Sequence, residues 1–223
     1  MIADVIARMA AIDSTLAPDD GVARFNHLYL SVTREVAEGA AAGSFEHPDF
    51  LVALDVAFAE LYFEAVDADG RGEDPARAWA PLFECRAQPR IAPIQFALAG
   101  MNAHINHDLC LALGATCDKL GLRLDPGSPQ HRDYLKVNAT LERVEERVKE
   151  QLATGLVAVA DDALGRIDDV VAMWSLARAR DAAWTHAQTL STLRLVPGVA
   201  DDFLVVLGRM VGLAGRGLLI PTL

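Results

Sequence analysis

Apolar residues recur along this chain at helical spacing, and no segment shows the alternation typical of a β-strand bounded by hairpin turns. The pattern predicts helices over residues 2–12, 20–42, 48–67, 75–85, 92–121, 129–153, 169–192 and from 197 onward, with 154–168 ambiguous. Polar segments rich in glycine and proline, at 67–75 and 125–129, separate these helices. We therefore predict an all-α fold, a single-domain bundle of about seven or eight helices over residues 1–223.

The segment from residue 92 to 117 is apolar nearly all round, which is typical of a helix that is buried on every side. Polar side chains interrupt it within two helical turns, at Asn102, His104, Asn106, His107 and Asp108. Burying polar groups costs free energy unless they are hydrogen-bonded, paired or bound to something. We therefore place a helix over about 92–121 at the centre of the bundle, with either a site or a structural hydrogen-bond network in its middle.

Three of these residues carry the expected chemistry. His104, His107 and Asp108 are three or four residues apart, so they should share one face of the central helix. Imidazole and carboxylate groups at these spacings can perform general acid–base catalysis, or they can bind a divalent metal such as zinc, iron or manganese. Asp55 lies on the apolar stripe of its own helix and is the expected additional catalytic carboxylate, because a buried carboxylate needs a partner or has a raised pKa.

Other polar side chains are predicted to bind or orient a substrate. Asn102 and Asn106 form a second pair beside the histidines, and Asn138 lies on an otherwise inward-facing part of a later helix. Tyr29 shares a face with other polar residues of the second helix, where hydrogen bonds between helices are the alternative interpretation.

Arg178 follows Trp174 by one helical turn and precedes Trp184. An arginine among tryptophans suits cation–π stacking or recognition of an anionic substrate group. An ion pair with Asp181, three residues further on, is the structural alternative.

Composition and charge narrow the functional classes. The formal net charge of -11 argues against binding to nucleic acid and against docking on anionic membranes. The 92–117 segment is long enough to span a bilayer, but its polar centre favours a buried core helix. The start of the chain does not resemble a signal peptide, and three cysteines in no zinc-binding pattern favour reduced thiols in the cytoplasm. A homodimer is compatible with the sequence.

Four segments together resemble a known family, at residues 25–33, 95–109, 134–138 and 174–184. The chain is similar to a family of uncharacterised all-helical actinobacterial proteins that is classified as a domain of unknown function. The most specific element of this resemblance is the run Asn-Ala-His-Ile-Asn-His-Asp at 102–108. The resemblance implies one helical domain in a bacterial cytoplasm, and it supplies no catalytic residues.

The sequence thus favours a small-molecule enzyme of hydrolase or lyase type, and hydrolysis, elimination and cyclisation are all compatible with it. No glycine-rich phosphate loop or dinucleotide fingerprint is visible, so no nucleotide cofactor is expected. The alternative is a non-catalytic ligand-binding or interaction protein, in which the His/Asn/Asp cluster is a structural network. The discriminating observation is whether His104, His107 and Asp108 border a cavity or are enclosed and bonded to one another.

Overall fold

The computed structural model describes residues 1–42, 45–139, 141–142, 146 and 175–221, and within these ranges every regular element is helical. This confirms the predicted all-α single-domain bundle. The elements are α1 (Ile2–Thr15), α2 (Gly21–Ala42), α3 (Pro48–Gly70), α4 (Ala80–Cys85), α5 (Pro93–Ala103), a π-helical turn (His104–Asp108), α6 (Leu109–Leu120), α7 (Pro129–Lys136), α8 (Leu176–Leu193) and α9 (Val199–Leu218). We call the continuous unit formed by α5, the π-helical turn and α6 the central helix.

Local signals in the sequence set several helix ends. The Ser128 hydroxyl accepts a hydrogen bond from the backbone of His131 at the start of α7. Gly121 ends α6 in the left-handed conformation, with φ of 64°. The predicted helix 75–85 begins later, at Ala80, because residues 77–79 form a turn. The predictions for 154–168, for 169–174 and for most of 137–153 fall outside the described residues.

The central helix is buried because four other helices, α2, α3, α8 and α9, pack against it. Glycines allow two pairs of elements to pack in close contact. A Cβ atom added at Gly100 would lie 2.3 Å from Cγ of Phe25, so α2 can pack its aromatic ring directly on α5. A Cβ atom added at Gly212 would lie 2.5 Å from the carbonyl oxygen of Arg77, so α9 packs directly on the chain before α4. The first approach sets α2 against the central helix, and the second sets α9 against the segment before α4.

None of the helices in the described ranges is both long enough and apolar enough to cross a membrane.

Candidate functional site

The polar residues of the central helix lie on the π-helical turn, where the backbone N–H of Leu109 donates to the carbonyl of His104. Such a turn accommodates one extra residue in an α-helix and is frequent at functional sites. The sequence pattern predicted an uninterrupted α-helix here, so this is a correction. The extra residue rotates the side chains that follow the turn about the helix axis, relative to where a regular α-helix would place them.

Asp108 is the hub of this turn and is only 2% exposed. Its Oδ2 accepts hydrogen bonds from Trp79 Nε1 at 2.8 Å and from His104 Nδ1 at 3.1 Å, and its Oδ1 accepts one from His107 Nδ1 at 2.8 Å. Burial opposes ionisation of Asp108, but its hydrogen bonds with the two histidines outweigh burial and lower its pKa. An ionised carboxylate only accepts hydrogen bonds, so both imidazoles carry a proton on Nδ1.

His104 is also 2% exposed, and its ring stacks on Phe58 with centroids 3.5 Å apart. Burial lowers the pKa of His104, although Asp108 acts in the opposite direction. The imidazole is therefore neutral near pH 7, with its proton on Nδ1 and a lone pair on Nε2. This Nε2 atom is buried and has no hydrogen-bond partner among the described residues. A carboxylate on one nitrogen and an open lone pair on the other is the arrangement that a histidine general base needs.

His104 lines a cavity of about 150 Å³ between α2, α3, the central helix and α8. Its walls are mainly apolar, and five polar side chains interrupt them: Tyr29, Thr33, Asp55, His104 and Arg180. Four of these side chains have a buried polar atom without a partner in the described part of the chain, namely Tyr29 OH, Thr33 Oγ1, Asp55 Oδ2 and His104 Nε2. Because buried polar atoms are nearly always hydrogen-bonded, four such atoms around one cavity indicate a space for a polar ligand or for water.

Burial affects the protonation of Asp55 and of Tyr29 differently. Burial raises the pKa of Asp55 from 3.8 to about 6, so its carboxyl can hold or release a proton near neutral pH. Burial, and then the nearby charge of Asp55, raise the pKa of Tyr29 well above its usual value, so its hydroxyl stays a donor. The Thr33 hydroxyl, one helical turn away, partly offsets that rise without forming a hydrogen bond of ordinary geometry.

Three of the predicted site residues lie on the opposite side of the central helix, towards α9. Asn102 Nδ2 donates to the carbonyl of Val211 at 2.9 Å, and Asn106 Nδ2 donates to Asn102 Oδ1 at 3.1 Å. Nε2 of His107 lies 3.6 Å from where a Cβ atom of Gly208 would be. His104, His107 and Asp108 thus meet as their spacing predicted, but only His104 lines the cavity, whereas Asn102 and His107 contact α9 and Asn106 bonds to Asn102.

Within the described ranges, no three His, Cys, Asp or Glu side chains are arranged to hold a metal ion. The geometry therefore does not support the predicted metal site. In the predicted set, His104 and His107 both direct Nδ1 at the carboxylate of Asp108. These two hydrogen bonds join His104, His107 and Asp108 to one another.

The arginine at the cavity is Arg180, two residues after the predicted Arg178. Arg178 is exposed. Arg180 is 7% exposed, and its guanidinium lies 4.0 Å from the centroid of the Tyr134 ring. Its Nε donates to Asn138 Oδ1 at 2.7 Å, and its Nη2 donates to the carbonyl of Tyr134 at 2.8 Å. Asn138, predicted to orient substrate, thus holds Arg180, and Trp174 lies outside the described residues.

Sequence reasoning missed three residues of the site: Thr33, Trp79 and Arg180. The spacing of residues in the sequence does mark Arg180 as buried, because it falls on the apolar stripe formed by Leu176, Ala183 and Ala187. The stripe is visible once α8 is taken to begin at Leu176. The sequence around Trp79 gave no indication that its N–H would reach Asp108.

The fold and the site together define an all-α bundle with a buried histidine–aspartate pair beside an internal cavity. Residues 2–221 match the family of unknown function DUF5995, and the chain belongs to that family. No curated protein and no solved structure matches the chain. The function therefore has to be argued from the geometry of the site.

Proposed function

We propose that the protein is a general acid–base enzyme of lyase type, which removes a proton from a small, largely apolar substrate in the cavity. One observation carries this proposal. His104, held by Asp108 through Nδ1, lines one cavity with Tyr29 and Asp55, and within the described ranges His104 Nε2, Tyr29 OH and Asp55 Oδ2 have no hydrogen-bond partner. A base and two hydrogen-bond donors around one apolar space are the parts needed for enolate chemistry.

In the proposed reaction, Nε2 of His104 takes a proton from a carbon next to a substrate carbonyl. The imidazolium that forms is stabilised by the Asp108 carboxylate, which stays ionised. The C–H electron pair moves onto the carbonyl oxygen, where the Tyr29 hydroxyl donates a hydrogen bond and the Asp55 carboxyl donates a second one when it is protonated, below its pKa of about 6. The pair then returns to form a carbon–carbon double bond as a leaving group departs from the neighbouring carbon with its bonding electrons. His104 gives its proton to that group.

We favour elimination over hydrolysis because elimination needs only a base and groups that stabilise an enolate oxygen, and His104, Tyr29 and Asp55 can supply these. The competing possibility is a non-catalytic binding protein with a structural polar network. Such a network accounts for Asn102, Asn106 and His107, which are bonded within the fold. It does not account for the buried Nε2 of His104, which has no partner among the residues that the structure describes.

Hydrogen exchange on simple ketones tests the first chemical step without knowledge of the natural substrate. Cyclopentanone and phenylacetone are incubated with the protein in D₂O, and loss of the α-proton signal is followed by ¹H NMR. The wild type should accelerate exchange over buffer, whereas His104→Gln should return it to the buffer rate. His131→Gln is the matched control, because His131 is a partly buried histidine away from the cavity. No acceleration by the wild type, or equal rates for wild type and His104→Gln, would show that the proposal is wrong.

We also propose that the protein is cytoplasmic and acts on small molecules rather than nucleic acid. The net charge of -11 supports the second part, and three cysteines present as free thiols support the first.

The surface of α9 supports a homodimer. Val206, Met210 and Leu213 are exposed on the face of α9 that points away from the core. Asp202 and Arg209 flank this face seven residues apart. Two copies of α9 packed antiparallel about a two-fold axis would cover these apolar side chains. Light scattering should therefore show a dimer for the wild type and a monomer for Met210→Glu. A monomeric wild type would rule the dimer out.

A further inference from the structure

Arg180 is a buried cation held in one orientation. Its guanidinium is fixed by the hydrogen bonds to Asn138 Oδ1 and to the carbonyl of Tyr134, and by stacking on the Tyr134 ring. Tyr134 is fixed in turn, because its hydroxyl donates to the backbone carbonyl of Arg180 at 2.8 Å. A charged side chain that is immobilised before any ligand arrives loses little further freedom on binding one.

The positive charge of Arg180 has no counter-ion in the described part of the chain. Both hydrogen bonds of its guanidinium go to neutral oxygens, and no carboxylate among the described residues forms an ion pair with it. Its Nη1 donates no hydrogen bond to any described residue, and Arg180 lines the cavity. Buried charges in proteins are normally paired, so a lone guanidinium at a cavity wall indicates an anion that arrives from outside.

Among the described residues, Asp55 is the one carboxylate that lines the same cavity, and it does not serve as this counter-ion. It forms no ion pair with Arg180, and its Oδ2 atom has no partner within the described ranges. The carboxyl of Asp55 and the guanidinium of Arg180 therefore offer two separate polar contacts to a bound molecule.

We propose that the cavity binds a small monocarboxylic acid with an apolar body, whose carboxylate is recognised by Nη1 of Arg180. This inference rests on the proposed function, since it names the substrate class of the same cavity. A volume of about 150 Å³ equals that of an engineered apolar cavity that accepts benzene, so the ligand has about six to ten non-hydrogen atoms. Its body packs against apolar side chains such as Phe58 and Leu141, and a carbon of that body lies next to His104.

The test compares two probes of the same length, hexanoate and hexanamide, by NMR titration of the isotope-labelled protein. A charge-assisted hydrogen bond to an otherwise unpaired guanidinium should make hexanoate bind at least about tenfold more tightly than hexanamide. Arg180→Met should abolish that preference. Arg178→Met is the matched control, because it removes an exposed arginine from the same helix and should retain the preference.

Equal affinity of the wild type for the two probes would overturn the proposal, whatever the variants do. A preference that survives in Arg180→Met would overturn it too. If Arg180→Met does not fold, Arg180→Lys replaces it, and it should weaken hexanoate binding relative to Arg178→Lys, since lysine lacks the planar fork.

The outcome for the anion site is separable from that for catalysis. His104→Gln should keep the preference for hexanoate while losing ketone exchange. A carboxylate preference without exchange by the wild type would refute the lyase proposal alone, and exchange without a carboxylate preference would refute the anion site alone.

Discussion

Asp55→Asn should make the protein more stable at high pH relative to the wild type. The pKa of Asp55 rises from 3.8 to about 6 on folding because the carboxyl is buried, so the folded state holds this proton more tightly than the unfolded state does. The carboxyl therefore costs no stability below the unfolded pKa, and the cost grows as the pH rises through the folded value. The ionised carboxyl therefore lowers the free energy of unfolding by roughly 3 kcal/mol at about pH 8 and by roughly 1 kcal/mol at about pH 4.5.

Urea unfolding of wild type and Asp55→Asn at both pH values measures this effect. The asparagine amide is buried at both pH values, so its own desolvation cancels when the two are compared. The free energy of unfolding of Asp55→Asn minus that of the wild type should increase by about 2 kcal/mol between about pH 4.5 and pH 8. Asp49→Asn, on an exposed position of the same helix, is the control and should show no such increase. A difference that is independent of pH, or that falls as the pH rises, would refute the reasoning.

Two further pairs of substitutions test the packing of α2 on α5 and the hydrogen bonds of Asp108. Gly100→Ala should destabilise the protein by about 1–3 kcal/mol or more, because its Cβ would meet Phe25, whereas Gly217→Ala, with open space around it, should stabilise α9 by about 0.5–1 kcal/mol. Chemical denaturation measures both, and equal effects would contradict the described approach of α2 to α5. Asp108→Asn should cost about 3 kcal/mol, since three hydrogen bonds lose their ionised acceptor, whereas Asp118→Asn, an exposed residue, should cost less than about 1 kcal/mol. Comparable losses in the two asparagine variants would show that Asp108 is not the hub described here.

Much of the fold was determined by local sequence. The helical spacing of apolar residues established the all-α class, and serine and glycine at Ser128 and Gly121 fixed helix ends through their own hydrogen bonding and conformational freedom. The central helix could be located because a segment that is apolar on all sides has to be buried. Its polar interruption marked where a site or a network had to be, since unpaired polar groups are costly in a core.

The tertiary structure decided which of these polar side chains face the cavity. A periodic pattern gives the position of a residue around its own helix, but it does not say what packs on that side. His104 and His107 both bond to Asp108, as their spacing predicted, but only His104 lines the cavity, whereas His107 lies against Gly208 of α9. Arg178 and Arg180 are similar in sequence context, and only the packing of α8 buries the second and exposes the first.

The contact between Trp79 and Asp108 could not be predicted from local sequence. The two residues are 29 positions apart, and neither segment carries a pattern that pairs them. Their hydrogen bond exists because α4 and the central helix are brought together by the glycine contacts of α9 and the burial of their apolar faces. The sequence by itself determined the helices and the chemical groups available to the site. Burial of surfaces distant in sequence determined which groups meet, because that free energy depends on the whole packed core rather than on any one segment.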